Sequence, residues 1–316
     1  MDILKIPRKV YFKRGCTPVA LREMHEVYGL QNAFLITNSA LYRKGVVGPI
    51  EKLLQKTGLH TAEFFTLLDA PTIENIKTGL LKMDEFAPDV IIGIGGEAVL
   101  SAAKLMWLLY ENPDADIAAL AGGAAFPKMG NKAKLVLMST TCGSGCECSP
   151  YAGVIDEKTG KKIWVANFDL VPEMAVIDPE LMMQLTAAEI KAGGLEVLKN
   201  AIGSAVVGAN VFSIGYAREA AHMVFENLEK AMAGGAVEPV ACEALANAAA
   251  NAGMAYACAA YNAAPLADDA SIESLISSAT DKSWLIDLAK DCGLGGADDN
   301  ATLKNLVAEC KKMAAL

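Results

Sequence analysis

The sequence predicts an α/β fold: a parallel-sheet domain of nucleotide-binding type over residues 1–184, then an all-helical domain over residues 185–316. Three observations carry that expectation. Short apolar runs alternate with helix-length amphipathic segments through the first part, as a parallel sheet covered on both faces requires. The alternation stops near Gln184. Beyond Thr186 apolar positions recur with helical period, and glycine and proline punctuate the ends.

The elements follow in order. VYFKRG opens as a short strand, and residues 17–28 read as a helix. AFLIT (33–37) is a buried-type strand followed by a helix over 46–57. A strand over 61–67 leads to a helix over 72–86. VIIGI (90–94) is a strand that runs through a glycine turn into a helix ending near Tyr110. A strand over 135–141 follows, and MAVI (174–177) closes the sheet. Six helices are expected after that, over 187–207, 213–232, 240–261, 271–278, 282–291 and 301–313.

Composition narrows the function classes. Hydrophobic residues make up 53% of the chain, enough for real cores, while aromatic residues are only 6%, so helices must pack through small side chains. The net charge of −9 and the absence of a Lys/Arg run argue against a nucleic-acid partner. No apolar run is long enough to cross a bilayer, and MDILKIPRKVYF lacks a signal-type stretch, so the expected location is the cytoplasm. Eight cysteines are too few for a disulfide scaffold and read as reduced thiols.

Five segments then agree in order and spacing: FKRGCTPVALREM, DAPTIENIKTG, PDVIIGIGGEAVLSAAK, STTCGSGCECSPYAGVIDEKTGKK and VPEMAVIDPELM. Together they resemble the iron-containing alcohol dehydrogenases, most of all the alcohol dehydrogenase half of the bifunctional aldehyde–alcohol enzymes. The resemblance is dense to about Asp178, traceable through GMAYA (253–257) and weak beyond, where the chain reads as a shortened member. It implies a nicotinamide cofactor and a divalent metal in a cleft between two domains. The metal would polarise an alcohol or aldehyde oxygen while hydride passes to or from the nicotinamide.

On the cofactor side the resemblance assigns Asn38, Gly95, Gly96, Glu97, Ser101, Thr140, Thr141, Gly143, Gly145 and Lys162. Thr140, Thr141, Gly143, Gly145 and Lys162 match the family pattern. Three positions depart from it. Glu97 stands where the third glycine of the phosphate loop belongs, Ser101 replaces an aspartate that faces the cofactor, and Asn38 replaces the aspartate at the adenosine ribose. Two readings of Glu97 stay open: it fills the anion site at the helix N-terminus, where the dipole favours it by roughly 0.3–1 kcal/mol, or it is an ordinary solvent-facing first-turn glutamate. Either way the resemblance implies weakened NAD(P) binding.

On the metal side the resemblance implies one aspartate and three histidines, the first two four residues apart on one helix. Here GGLEVLKNA (193–201) puts Glu196 and Asn200 at those positions, and an amide is a poor ligand for Fe(II) or Zn(II). The three histidines of the chain, His25, His60 and His222, all precede the segment where the remaining ligands are expected. Neither iron nor zinc is therefore expected at this site. His25 and His60 read as surface residues and His222 as a packed one.

Cys142, Cys146 and Cys148 crowd a glycine-rich loop. Three thiols within seven residues suit an iron–sulfur cluster or a soft metal with a fourth ligand from elsewhere; the favoured reading is that they replace small side chains in a tight loop. The functional expectation is a non-catalytic or repurposed family member with a scaffold, partner-binding or regulatory role. Its apolar C-terminal helices would join a homo-oligomer or a protein partner. The alternatives are an active NAD(P)-dependent oxidoreductase with an altered or absent metal site, and a thiol or iron–sulfur redox protein.

Overall fold

In the computed structural model, the described residues are 4–208, 210–233, 237–259, 271–279 and 281–316. Two compact units emerge. One comprises residues 7–140 and 150–181; the other comprises 1–6, 141–149 and 182–316. Each is considered by itself.

The α/β unit is built on a six-stranded sheet. In chain order the strands are β1 (Lys9–Phe12), β2 (Asn32–Asn38), β3 (His60–Leu67), β4 (Val90–Gly95), β5 (Lys134–Ser139) and, after a hairpin, β8 (Met174–Ile177). Their spatial order is β1-β8-β5-β4-β2-β3, and every pairing in the sheet is parallel. Central strands such as VIIGIG are buried along their whole length, as a sheet covered on both faces demands.

Side-chain alternation sorts the two faces. Leu35, Ile92, Val136 and Met174 pack with Ala20, Leu21 and Met24 of α1 (Thr17–Glu26) and with Val47, Ile50 and Leu54 of α3 (Val47–Lys56). The opposite face meets α4 (Ile73–Phe86) and α5 (Glu97–Glu111). A Cβ at Gly93 would lie 2.7 Å from Ala103, and one at Gly79 would lie 2.4 Å from Met106. The helices that follow β2 and β4 thus lie on opposite faces although these strands are neighbours. That reversal opens a crevice at the strands' carboxyl ends, where open α/β sheets bind ligands.

The hairpin β6 (Tyr151–Asp156) and β7 (Lys161–Ala166) is absent from the sequence reading, as are short helices α2 (Ser39–Arg43) and α6 (Ile117–Ala121). The strand expected over 135–141 ends at Ser139, and the Thr140 N–H donates to the Gly95 carbonyl at 3.0 Å.

The helical unit contains α7 (Ala187–Gly208), α8 (Val211–Met232), α9 (Pro239–Ala259), α10 (Ile272–Ser278), α11 (Ser283–Asp291) and α12 (Asp299–Ala315). The expected extension of α9 to residue 261 lies outside the described residues. The alanine-rich α9 is buried along most of its length, so its small side chains already face the unit's own core. The exposed large apolar side chains here sit mainly at helix starts: Val211, Phe212 and Val240. Among the described residues no helix is long and apolar enough to cross a membrane.

One buried carboxylate fastens the start of the α/β unit to its last strand. Asp178, just past β8, accepts the Gly15 N–H at 2.8 Å, the Thr17 N–H at 2.9 Å and the Thr17 hydroxyl at 2.7 Å. Asp178→Ala leaves those donors stranded beside α1, and charge-assisted bonds of this kind contribute about 1.5–3 kcal/mol each in net terms. A clear drop in the melting temperature of this unit is expected in a calorimetric scan; an unchanged transition would contradict it.

Candidate functional site

In the α/β unit the carboxyl ends of β2 and β4 gather the residues assigned to the cofactor. Asn38 ends β2 and caps α2: its side-chain oxygen accepts the Leu41 N–H at 2.9 Å. Its amide nitrogen donates to Asp69 Oδ1 at 3.3 Å. An aspartate at this position would cap as well but would set two carboxylates against each other, so the amide suits its neighbour. Asp69 was not singled out from the sequence.

Gly95 closes β4 where a Cβ would meet Val99 at 2.5 Å, so only glycine fits under the first turn of α5. Gly96 is the extended residue before that helix. Glu97 does not point to open solvent. Its carboxylate pairs with Lys162 Nζ at 2.9 Å, and both side chains are 30% exposed. Lys162 in turn lies over the Trp164 ring, 4.3 Å from its centroid.

Lys162 and Trp164 share one face of β7, two residues apart, and Gly153 on β6 pairs with Trp164. A Cβ on Gly153 would stand 2.8 Å from both Lys162 Cε and the indole, so its absence leaves room for the lysine stem. The hairpin, and with it Gly153 and Trp164, was missed from sequence. The turn DEKTGK between two apolar runs is the signal that reveals it.

Ser101 is fully buried within α5. One turn on, Lys104 is buried as well and donates to the Tyr151 carbonyl at 2.9 Å, joining α5 to β6. Thr140 is buried at the end of β5.

In the helical unit, Thr141 begins the loop 141–149. Gly145 adopts a left-handed conformation (φ +62°) ahead of a 3-10 turn, Cys146–Cys148. A Cβ on Gly145 would lie 2.3 Å from the Ala249 carbonyl, and one on Gly253 would lie 2.3 Å from the Gly145 carbonyl. Both positions therefore need glycine. On α7, a Cβ at Gly193 would fall 2.8 Å from the Cys142 carbonyl. The loop is thus in backbone contact with α7 and α9 together.

Glu196 and Asn200 sit one turn apart on α7 and both face this loop. Glu196 Oε2 lies where a Cβ on Gly143 would be only 2.5 Å away, and the Asn200 amide points at the Ser144 carbonyl at 3.5 Å. Cys142, Cys146, Cys148 and Glu147 are all buried. Among the described residues no three His, Cys, Asp or Glu side chains are grouped to hold a metal ion. His25 is half-buried with Nδ1 2.9 Å from the Leu30 carbonyl, and His60 is exposed. His222 is half-buried on α8: its side chain is 35% exposed and lies beside Glu226 one turn away.

The fold defines the class: a parallel α/β unit with a glycine turn after β4, followed by a helical bundle that carries a carboxylate on its first long helix. Residues 7–179, more than half of the chain, match the iron-containing alcohol dehydrogenase family, and the chain belongs to that family. The bifunctional aldehyde-alcohol dehydrogenase AdhE of Escherichia coli K12 is 36% identical over 262 residues, which cover 80% of this chain and 29% of that protein. Aldehyde-alcohol dehydrogenase 2 of Entamoeba histolytica is 38% identical over 265 residues, covering 80% and 30%. The match thus spans less than a third of the length of these curated relatives. Among solved structures, a 1,3-propanediol oxidoreductase superposes with a TM-score of 0.86 at 21% identity, covering all of this chain and 86% of the other. An alcohol dehydrogenase from Oenococcus oeni gives 0.87 at 21% identity, covering 100% and 87%. These two likenesses concern the fold.

The loop thiols have a measurable chemistry. Burial pushes the Cys142 thiol up to about 12, with Cys242 and Glu196 adding in the same direction. A raised thiol stays protonated until the pH approaches that value, so near pH 8 only about one Cys142 in 10⁴ is thiolate. Iodoacetamide labelling of the native protein near pH 8, read by peptide mass spectrometry, should modify half-buried Cys16 well before Cys142. Labelling of Cys142 first would contradict the packed state of this loop.

Proposed function

We propose that this chain is an iron-containing alcohol dehydrogenase family member repurposed away from metal-dependent hydride transfer, serving as a scaffold or partner-binding protein. The observation that carries the reading is the pair of side chains on α7 at the family's first two ligand positions: a carboxylate, Glu196, and an amide, Asn200, turned toward the Ser144 carbonyl. Fe(II) and Zn(II) take imidazole and carboxylate; the amide nitrogen offers no lone pair, and its oxygen is a weak donor. Among the described residues no three His, Cys, Asp or Glu side chains are grouped to hold a metal ion, and within the helical unit His222 lies beside Glu226 on α8. The donor set does not fit the metal, and no catalytic step is assigned through it.

The loop thiols do not replace the missing donors on this reading. Their burial against the glycines of α7 and α9 supports a packing role. The partner-binding part of the proposal rests on Val211 and Phe212, adjacent at the start of α8 and 58–78% exposed. Single exposed apolar residues are ordinary, but an adjacent pair gives a partner chain or a second copy something to cover.

The test is metal content. Protein purified anaerobically and equilibrated with Fe(II) or Zn(II), then gel-filtered, should retain less than about 0.1 equivalent per chain. Asn200→His alone should not raise that figure to stoichiometry, because one imidazole and one carboxylate supply half of a four-ligand set. Near-stoichiometric iron or zinc in the unaltered protein would overturn the proposal.

A further inference from the structure

We infer that the Glu97–Lys162 ion pair is a built-in occupant of the phosphate position at the start of α5, and that it excludes dinucleotides from the α/β unit. The inference concerns this unit alone and stands whether or not a metal binds near α7.

Two attractions ordinarily recruit a diphosphate to such a position. One is the set of free N–H groups and the positive dipole end of a long helix; the other is a cationic side chain nearby. The fifteen-residue α5 supplies the first, beginning directly after the extended Gly96. Lys162 supplies the second.

Glu97 answers both. It stands in the first turn of α5, where a negative charge is favoured, and its carboxylate lies 2.9 Å from the ammonium. Lys162 is no loosely waving surface lysine. Its stem crosses the gap left by Gly153, and its head rests 4.3 Å from the Trp164 centroid. With each partner 30% exposed, the pair is partly withdrawn from solvent screening.

A diphosphate must therefore compete for Lys162 with a carboxylate tethered beside it, at an effective concentration of roughly millimolar or more. If it wins, it leaves Glu97 unneutralised next to its own negative charges. Steric crowding adds to this, since a long side chain stands where the family has a glycine. The other departures point the same way: Asn38 is already bonded to Asp69, and Ser101 is buried.

The experiment measures binding of NADH by fluorescence and of inorganic pyrophosphate by calorimetry, for the unaltered protein and three variants. Glu97→Gly should tighten both probes by at least about tenfold, with an affinity that falls as salt rises. Glu97→Gln, which removes charge but keeps bulk, should give an intermediate gain. Adding Lys162→Ala to Glu97→Gly should abolish the gain, which separates a freed cation from mere relief of crowding. Circular dichroism melts of each variant check that the unit stays folded. The inference is overturned if Glu97→Gly stays within about twofold of the unaltered protein for both probes, whether both bind or neither does.

Discussion

The contact on which the helical unit depends is a backbone approach that only glycine permits. The carbonyl of Gly145 lies where a side chain on Gly253 would have to be, and the carbonyl of Cys142 lies against Gly193. Gly145 also needs the left-handed conformation that side chains resist. These approaches pin the loop 141–149 between α7 and α9. They bury its three thiols and set the Glu196 carboxylate and the Asn200 amide against its backbone. Gly193 weakens α7 and Gly253 weakens α9 by about 1 kcal/mol each relative to alanine, and the close packing they allow offsets that cost.

The α/β unit repeats the theme with side chains. At two positions that the resemblance assigns to the cofactor, this chain holds an internal partner. Asn38 bonds to Leu41 and Asp69, and Glu97 bonds to Lys162. Internal contacts of this kind keep buried and half-buried polar groups satisfied.

Much of this was legible in the residues. The β2, β4 and β8 strands announce themselves as short β-branched runs, and the 22-residue α7 and α8 as long periodic segments. The departures at Glu97, Ser101, Asn38, Glu196 and Asn200 were visible because a motif with fixed spacing says which residue type each position needs. What the motif cannot give is the partner. Lys162 lies 65 residues from Glu97 and meets it only because an unanticipated hairpin folds back over Gly153. Asp69 meets Asn38 because it follows β3, the strand paired with β2. The burial of α9 is not legible for a different reason: alanine gives little amphipathic contrast, so its pattern does not reveal which faces are covered.

The central claim, loss of metal-dependent hydride transfer, is tested most directly by isotope transfer. Anaerobic protein supplied with Fe(II) or Zn(II) is incubated with deuterated NADH and a short-chain aldehyde, and deuterium in the alcohol is measured by mass spectrometry. The account predicts incorporation no greater than in a protein-free control over many hours. Deuterated alcohol formed in proportion to protein concentration, and abolished by a chelator, would contradict it.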